Sequence, residues 1–274
     1  VLHNLSFVDD PTRIFRAVRF EKRMNFTIVK HTERLIRNAV KMDLFGKADD
    51  PRFFFELKII LHEENAIPAV ERLAELGLFP FLWPDLQPHL ELDRRFLHCL
   101  TQAEKAIAWF KLLYQPEPFE TWMVYLLAIM GRSQVSVLKN FCNRFQLPPR
   151  QKDQLLHEKS VADKTSYFLA RRSDLKNSEI YLLLSELQIE GLLYLMAIAR
   201  KSGVKKMISN YVTSMRSETT LLSGKDLKTL GYRPGPIFKE ILQALLLARI
   251  DGTISTREEE IELVQRRFAP AESS

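Results

Sequence analysis

Residues 9–20 read DDPTRIFRAVRF, and this stretch shows how most of the chain is built. Asp10 followed by Pro11 is typical of a helix start, because aspartate caps free N–H groups and proline fits the first turn, and Asp50 followed by Pro51 repeats this pattern. Ile14 and Val18 follow at a four-residue interval, which places both on one face of a helix. The stretch therefore predicts an amphipathic helix whose other face is charged.

Apolar residues keep this helical spacing along nearly the whole chain. Ile59 and Ile60 follow it, as does the stretch 245–248, and the sequence contains only nine glycines. Alternation typical of a strand is confined to residues 1–7. We expect an all-α fold of about a dozen helices of unequal length, with at most a strand remnant at residues 1–7.

The composition excludes several classes of protein. Charged residues make up 27% of the 274 residues and aromatic residues 10%, a balance that favours a folded protein over a disordered one. No apolar run approaches the roughly 20 residues that cross a bilayer, and no signal peptide is visible, so we expect no membrane association. Two cysteines cannot form a disulfide framework, which favours a cytoplasmic location.

Positive charge is concentrated near the beginning of the sequence. Residues 11–41 contain nine Lys and Arg residues against two acidic ones, a local excess of 9 − 2 = +7, whereas the whole chain carries +6. Lys201, Lys205 and Lys206 form a smaller basic group, which fits either RNA phosphates or a solvated helix face. The basic stretch at residues 11–41 predicts a polyanionic ligand, either a nucleotide or a nucleic acid.

Asp10, Arg13, Arg16 and Arg19 recur every three residues, so they lie side by side along a drifting stripe of one helix. A triphosphate suits such a stripe, because arginine forks bind phosphate oxygens and a helix N-terminus attracts negative charge. The alternative is that Asp10 only caps the helix and the arginines form a solvated face. Spacing alone leaves both interpretations open.

The stretch 9–20 strongly resembles the neck-helix motif of bacterial class II tRNA nucleotidyltransferases and the related poly(A) polymerases. The resemblance implies that Asp10 and Arg13 read the Watson–Crick edge of the incoming nucleotide, and that Arg16 and Arg19 belong to the same nucleotide-binding set. Asp9 stands where the family usually has glutamate, and the resemblance gives it a supporting role.

Further segments extend the resemblance over about residues 1–90 and 220–268. RFFFELKIIL at residues 52–61 is similar to the second neck motif, in which Arg52 and Glu56 would form a bracing ion pair four residues apart. LSGKDL at 222–227 and PGPI at 234–237 resemble the body and tail. The implied organisation is the end of a head domain at 1–8, a neck at 9–90, a helical body at 91–215 and a helical tail at 216–274.

The family's catalytic head carries Gly-Gly…Arg-Asp, Asp-x-Asp and Arg-Arg-Asp motifs, and none of these occurs in the sequence. We therefore expect no catalytic residue and no metal ligand in this chain, with Mg²⁺ held by a head that belongs to a longer enzyme. By resemblance, that enzyme adds CMP or AMP to tRNA 3′ ends. The chain alone should be inactive.

The implied partners are ATP or CTP and the acceptor-stem and TΨC side of tRNA. The neck pattern alone does not separate CC, A and CCA addition, although similarity to the long bacterial members favours A addition. Two other functions stay open: a helical RNA-binding adaptor without catalysis, and a poly(A) polymerase acting on RNA 3′ ends in general.

Overall fold

A computed structural model describes residues 6–42, 50–64, 66–86, 93–172 and 174–268. The described residues form sixteen α-helices and two short 3₁₀ helices, with no strand. The first eight are α1 (Ser6–Asp9), α2 (Thr12–Arg23), α3 (Lys30–Lys41), α4 (Pro51–His62), α5 (Ala66–Glu75), α6 (Phe79–Leu82), α7 (Arg94–Leu112) and α8 (Thr121–Ile129). The others are α9 (Val135–Arg144), α10 (Pro149–Arg171), α11 (Asn177–Leu184), α12 (Ile189–Ile198), α13 (Ser202–Thr213), α14 (Gly224–Thr229), α15 (Pro236–Ile250) and α16 (Arg257–Arg267).

The all-α prediction is confirmed, but the suggested strand remnant is wrong where it can be compared. Ser6 and Phe7 lie in α1, a single helical turn, and Phe7 is buried. The rest of the suggested strand, residues 1–5, lies outside the described residues. A short stretch such as 1–7 has too few residues for its periodicity to separate a strand from a helical turn.

Contacts divide the chain into two compact units. The first contains residues 1–166 and 187–199, and the second contains residues 167–186 and 200–274. Within the first unit, α8 is buried along its whole length, and α7 and α12 pack closely against each other and against α8. The second unit has its own apolar core, built around Leu222, Leu227, Tyr232, Ile241, Leu245 and Val264.

Local sequence signals explain where several of these helices begin. Asp50 caps α4 by accepting from the N–H of Arg52, with Pro51 in the first helical position as predicted. Thr256 and Glu259 form a reciprocal capping box at α16. No single helix in the described ranges is both long and apolar enough to cross a membrane.

Candidate functional site

Asp10 lies in the turn between α1 and α2 and is tied to the start of α2. Its Oδ1 accepts from the Thr12 hydroxyl at 2.6 Å and from the Thr12 N–H at 3.3 Å. Burial acts to raise the pKa of Asp10, but the Thr12 hydrogen bonds and the Arg52 and Arg13 charges outweigh it and hold that pKa below its usual value. Asp10 is thus a charged acceptor at a helix N-terminus.

Arg13 lies beside this carboxylate and is fixed by α1. Its Nη1 donates to the Ser6 hydroxyl at 2.6 Å and to the Ser6 carbonyl at 3.3 Å, while its Nε lies 3.8 Å from Asp10 Oδ2. About a quarter of the Asp10 side chain and 40% of the Arg13 side chain are exposed. The structure therefore brings together the two residues for which base reading is expected, and both remain accessible.

Arg16 and Arg19 lie further along α2, and their ionic partners are on α4 and directly after its end. Arg16 Nε is 4.0 Å from Glu56 Oε1, and Arg19 Nη1 is 3.8 Å from Glu63 Oε1. From Arg16 to Arg19 along α2, the partner changes from Glu56 to Glu63, which lies later in the sequence. The helices α2 and α4 therefore run side by side in the same direction. Carboxylates on the adjacent helix therefore offset the repulsion within the arginine stripe.

Arg19 differs from the other arginines of the stripe because it is mostly buried. Only 14% of its side chain is exposed, and its Nε is buried without a hydrogen-bond partner among the described residues. A cleft of about 350 Å³ opens at this end of α2, lined by Arg19, Lys22, Arg23, Ile60, His62, Glu63, Glu64 and Ala69. Arg19 is thus placed two to three helical turns from Asp10, at a separate charged cleft.

The predicted ion pair between Arg52 and Glu56 is wrong. Arg52 Nε donates to Asp50 Oδ2 at 2.7 Å, and Arg52 Nη1 lies 3.8 Å from Asp10 Oδ1. Glu56 approaches Arg16 on α2 instead. The cause is the cap of α4, because Asp50 is near enough in sequence to hold Arg52 by both its backbone and its side chain.

Arg52 therefore braces the site in a way that the sequence did not indicate. It links the cap of α4 to the carboxylate that accepts from Thr12 at the start of α2, and Asp50 is the residue whose role the sequence did not indicate. The Asp50-Pro51 dipeptide predicted the cap of α4, but not the additional bond from Arg52 Nε to Asp50. Asp9, the other supporting candidate, is exposed at the end of α1.

None of the described residues forms a group of three or more His, Cys, Asp or Glu side chains that could hold a metal ion. His62 instead lies 3.1 Å from Glu120 through Nε2 and 3.0 Å from the Thr121 hydroxyl through Nδ1. These contacts link the end of α4 to the start of α8.

Comparison with known proteins gives the same assignment as the motif. Residues 25–90 match a family described as the probable RNA- and SrmB-binding site of polymerase A. An A-adding tRNA nucleotidyltransferase of Geobacter sulfurreducens is 42% identical over 97% of this chain, which covers 30% of that relative. Nearly the whole chain is therefore similar to part of a tRNA nucleotidyltransferase. A second A-adding tRNA nucleotidyltransferase, from Aquifex aeolicus, is 27% identical over 89% of the chain and 30% of its own length.

Solved structures of the family share this fold. A Thermotoga maritima CCA-adding enzyme complexed with tRNA has a TM-score of 0.78 and 26% identity, covering 97% of this chain and 63% of that enzyme. A CCA-adding enzyme in complex with CTP matches with the same TM-score and identity, covering 98% of this chain and 62% of its own. The chain thus spans 30% of each of these two A-adding relatives and under two thirds of these solved enzymes.

Proposed function

We propose that this chain selects the incoming nucleotide and holds tRNA within a nucleotidyltransferase that extends tRNA 3′ ends. Four relatives named as A-adding enzymes match 89–98% of the chain, which favours addition of AMP over addition of CMP. The four-part organisation of head end, neck, body and tail belongs to the same proposal.

The observation that carries the proposal is the pairing of Asp10 with Arg13. Asp10 Oδ1 is engaged by Thr12, whereas Oδ2 has, among the described residues, only the loose contact with Arg13 and keeps its capacity to accept. Both hydrogen bonds of the Arg13 side chain to described residues use Nη1, so other N–H groups of this guanidinium can donate. An acceptor and a donor therefore stand side by side.

That pair matches a feature that adenine and cytosine share. Each presents an exocyclic amino donor next to a ring-nitrogen acceptor, so Asp10 can accept from the amino group while Arg13 donates to the ring nitrogen. Uracil and guanine present a carbonyl and a ring N–H there, which would oppose acceptor to acceptor and donor to donor. Each buried group left unpaired costs roughly 1–3 kcal/mol, enough for strong selection.

The tRNA-holding part of the proposal rests on charge and on the solved relatives. The basic segment 11–41 overlaps the stretch that matches the RNA-binding family. A-form RNA hides its base edges in a deep groove, so contacts to the acceptor-stem and TΨC side should use shape and phosphates. Binding should weaken with added salt and depend little on stem sequence.

In this proposal, catalysis belongs to residues outside this sequence. The sequence has no Asp-x-Asp motif, and the family's Mg²⁺ would be held by the head together with the triphosphate of ATP or CTP. The neck residues would present the base, and the head would supply the metal that stabilises charge during attack by the tRNA 3′-hydroxyl.

The test compares the chain alone with the chain joined to the head of the Geobacter relative. Each is incubated with Mg²⁺, labelled ATP or CTP, and tRNA lacking its terminal adenosine. We expect no extension by the chain alone and extension with ATP by the joined protein. Extension by the purified chain alone would contradict the proposal, and a folded joined protein that binds tRNA without extending it would favour the adaptor function.

A further inference from the structure

Two aromatic rings at the end of α10, in the second unit, are exposed to solvent and accompanied by arginines. Tyr167 is 60% exposed, and the Arg171 guanidinium carbon lies 3.8 Å from the centre of its ring. Phe168 is 38% exposed, with the Arg172 guanidinium carbon 5.7 Å from its ring centre. Each arginine follows its aromatic partner by four residues, so each pair shares one stripe at the end of α10, and the two stripes lie about 100° apart around the helix axis.

The start of α13 adds further positive charge at this place. Lys201 Nζ donates to the Ala170 carbonyl at 2.6 Å, which fastens the residues before α13 to the last turn of α10. Residues 200–217 contain five basic residues and no acidic one. Asp174 lies 3.5 Å from Arg172 and is itself 77% exposed.

The helix dipole accounts for part of this arrangement but not for all of it. Cations are favoured at a helix C-terminus, so Arg171, Arg172 and Lys201 would stabilise α10 without any ligand. The dipole gives no reason to place two large rings in water beside them. Aromatic rings next to guanidinium planes are the groups on which nucleic-acid bases stack, and the surrounding cations suit phosphates.

We propose that Tyr167, Phe168, Arg171, Arg172 and Lys201 form an RNA-binding surface, here called the tyrosine–arginine surface. An unpaired base or a ribose stacks on the Tyr167–Arg171 pair, while Arg172 and Lys201 contact the phosphates on either side. The proposal rests on the RNA-holding function and adds to it a defined surface in the second unit, far in sequence from Asp10.

The test measures binding of the full chain to tRNA and, separately, to inorganic polyphosphate, which has charge but no bases. Tyr167→Ala should weaken tRNA binding roughly 5- to 50-fold and leave polyphosphate binding unchanged, because only the stacking contact is lost. Tyr167→Phe keeps the ring and should bind tRNA as the unmodified chain does. Arg172→Gln removes a charge and should weaken both ligands a few-fold, about as expected for one phosphate contact.

Tyr114→Ala is the matched control, because Tyr114 is a tyrosine of the first unit that is 88% exposed. It should leave both affinities unchanged. Unaltered tRNA binding by Tyr167→Ala, or equal weakening of both ligands, would overturn the tyrosine–arginine surface while leaving the proposed function in place. Failure of the unmodified chain to bind tRNA would overturn both.

Discussion

Arg72 connects three helices of the first unit through its side chain alone. It donates to Glu21 on α2 at 2.8 Å, to Glu33 on α3 at 2.8 Å and to Glu75 on its own helix, α5, at 2.9 Å. Burial acts to lower the pKa of Arg72, but the bonds to Glu33, Glu75 and Glu21 outweigh it and raise that pKa. Because only 6% of the Glu21 side chain is exposed, losing Arg72 would leave this carboxylate buried without its ionic partner.

Arg72→Gln should therefore lower the free energy of unfolding by about 2–4 kcal/mol, since removing one member of a buried ionic group strands the others. Arg37→Gln is the control: Arg37 also bonds Glu33, but 44% of its side chain is exposed. Arg37→Gln should lower the free energy of unfolding by about 1 kcal/mol or less. Urea unfolding followed by circular dichroism measures both. Equal losses would mean that the Arg72 network contributes no more than a surface ion pair.

Residue spacing could predict which groups share the start of α2, but not how each is paired. The proximity of Asp10 and Arg13 follows from a three-residue interval across the start of one helix. The burial of Arg19 and the contact between Glu56 and Arg16 depend on how α4 packs against α2. Such packing joins residues about forty positions apart, and no local pattern encodes it.

At the scale of elements, the start of α12 is held by hydrogen bonds to a side chain from α10. Gln188, the residue before α12, donates its N–H to both oxygens of Glu158, at 3.3 and 3.2 Å. Burial raises the pKa of Glu158 to about 7. Gly191 in α12 leaves room for this carboxylate, because a Cβ added there would lie 1.8 Å from Glu158 Oε2.

Gly191→Ala should lower the free energy of unfolding by about 1–3 kcal/mol, because the methyl group would displace the Glu158 carboxylate from the start of α12. A Cβ added at Gly203 in α13 meets no atom within 4 Å. Gly203→Ala should therefore raise the free energy of unfolding by up to about 1 kcal/mol through helix propensity. Thermal and urea unfolding of the two variants give the comparison. Stabilisation of both would contradict a close approach at Gly191.

Helix content could be predicted because apolar periodicity and proline or glycine punctuation act locally. The Asp50-Pro51 cap of α4 is confirmed, whereas α2 begins at Thr12, one residue later than the Asp-Pro pattern indicated. The chain forms sixteen described helices rather than about a dozen, because short ones such as α1 and α6 have only four residues. Elements this short are set by tertiary packing rather than by periodicity.

At the scale of the whole molecule, the chain combines two compact units with a charged site at the start of α2. Similarity relates the chain to tRNA nucleotidyltransferases, whereas the tasks of the Asp10–Arg13 pair and of the tyrosine–arginine surface are proposals. The central claim is that Asp10 discriminates among bases. Arg19 offers the contrast, because it lies at a separate charged cleft and should act equally on every nucleotide.

The most direct test is to measure kcat/KM for ATP, CTP, UTP and GTP with the joined head-containing protein carrying Asp10→Asn or Arg19→Ala. An asparagine oxygen can still accept from Thr12 and cap α2, while its amide NH₂ places a donor where Oδ2 accepted. Asp10→Asn should reduce the preference for ATP over UTP and GTP by about 10- to 100-fold, equivalent to one or two mismatched hydrogen bonds. Arg19→Ala should lower all four values alike. If Asp10→Asn instead lowers all four kcat/KM values equally, so that the preference for ATP is unchanged, Asp10 is only a helix cap.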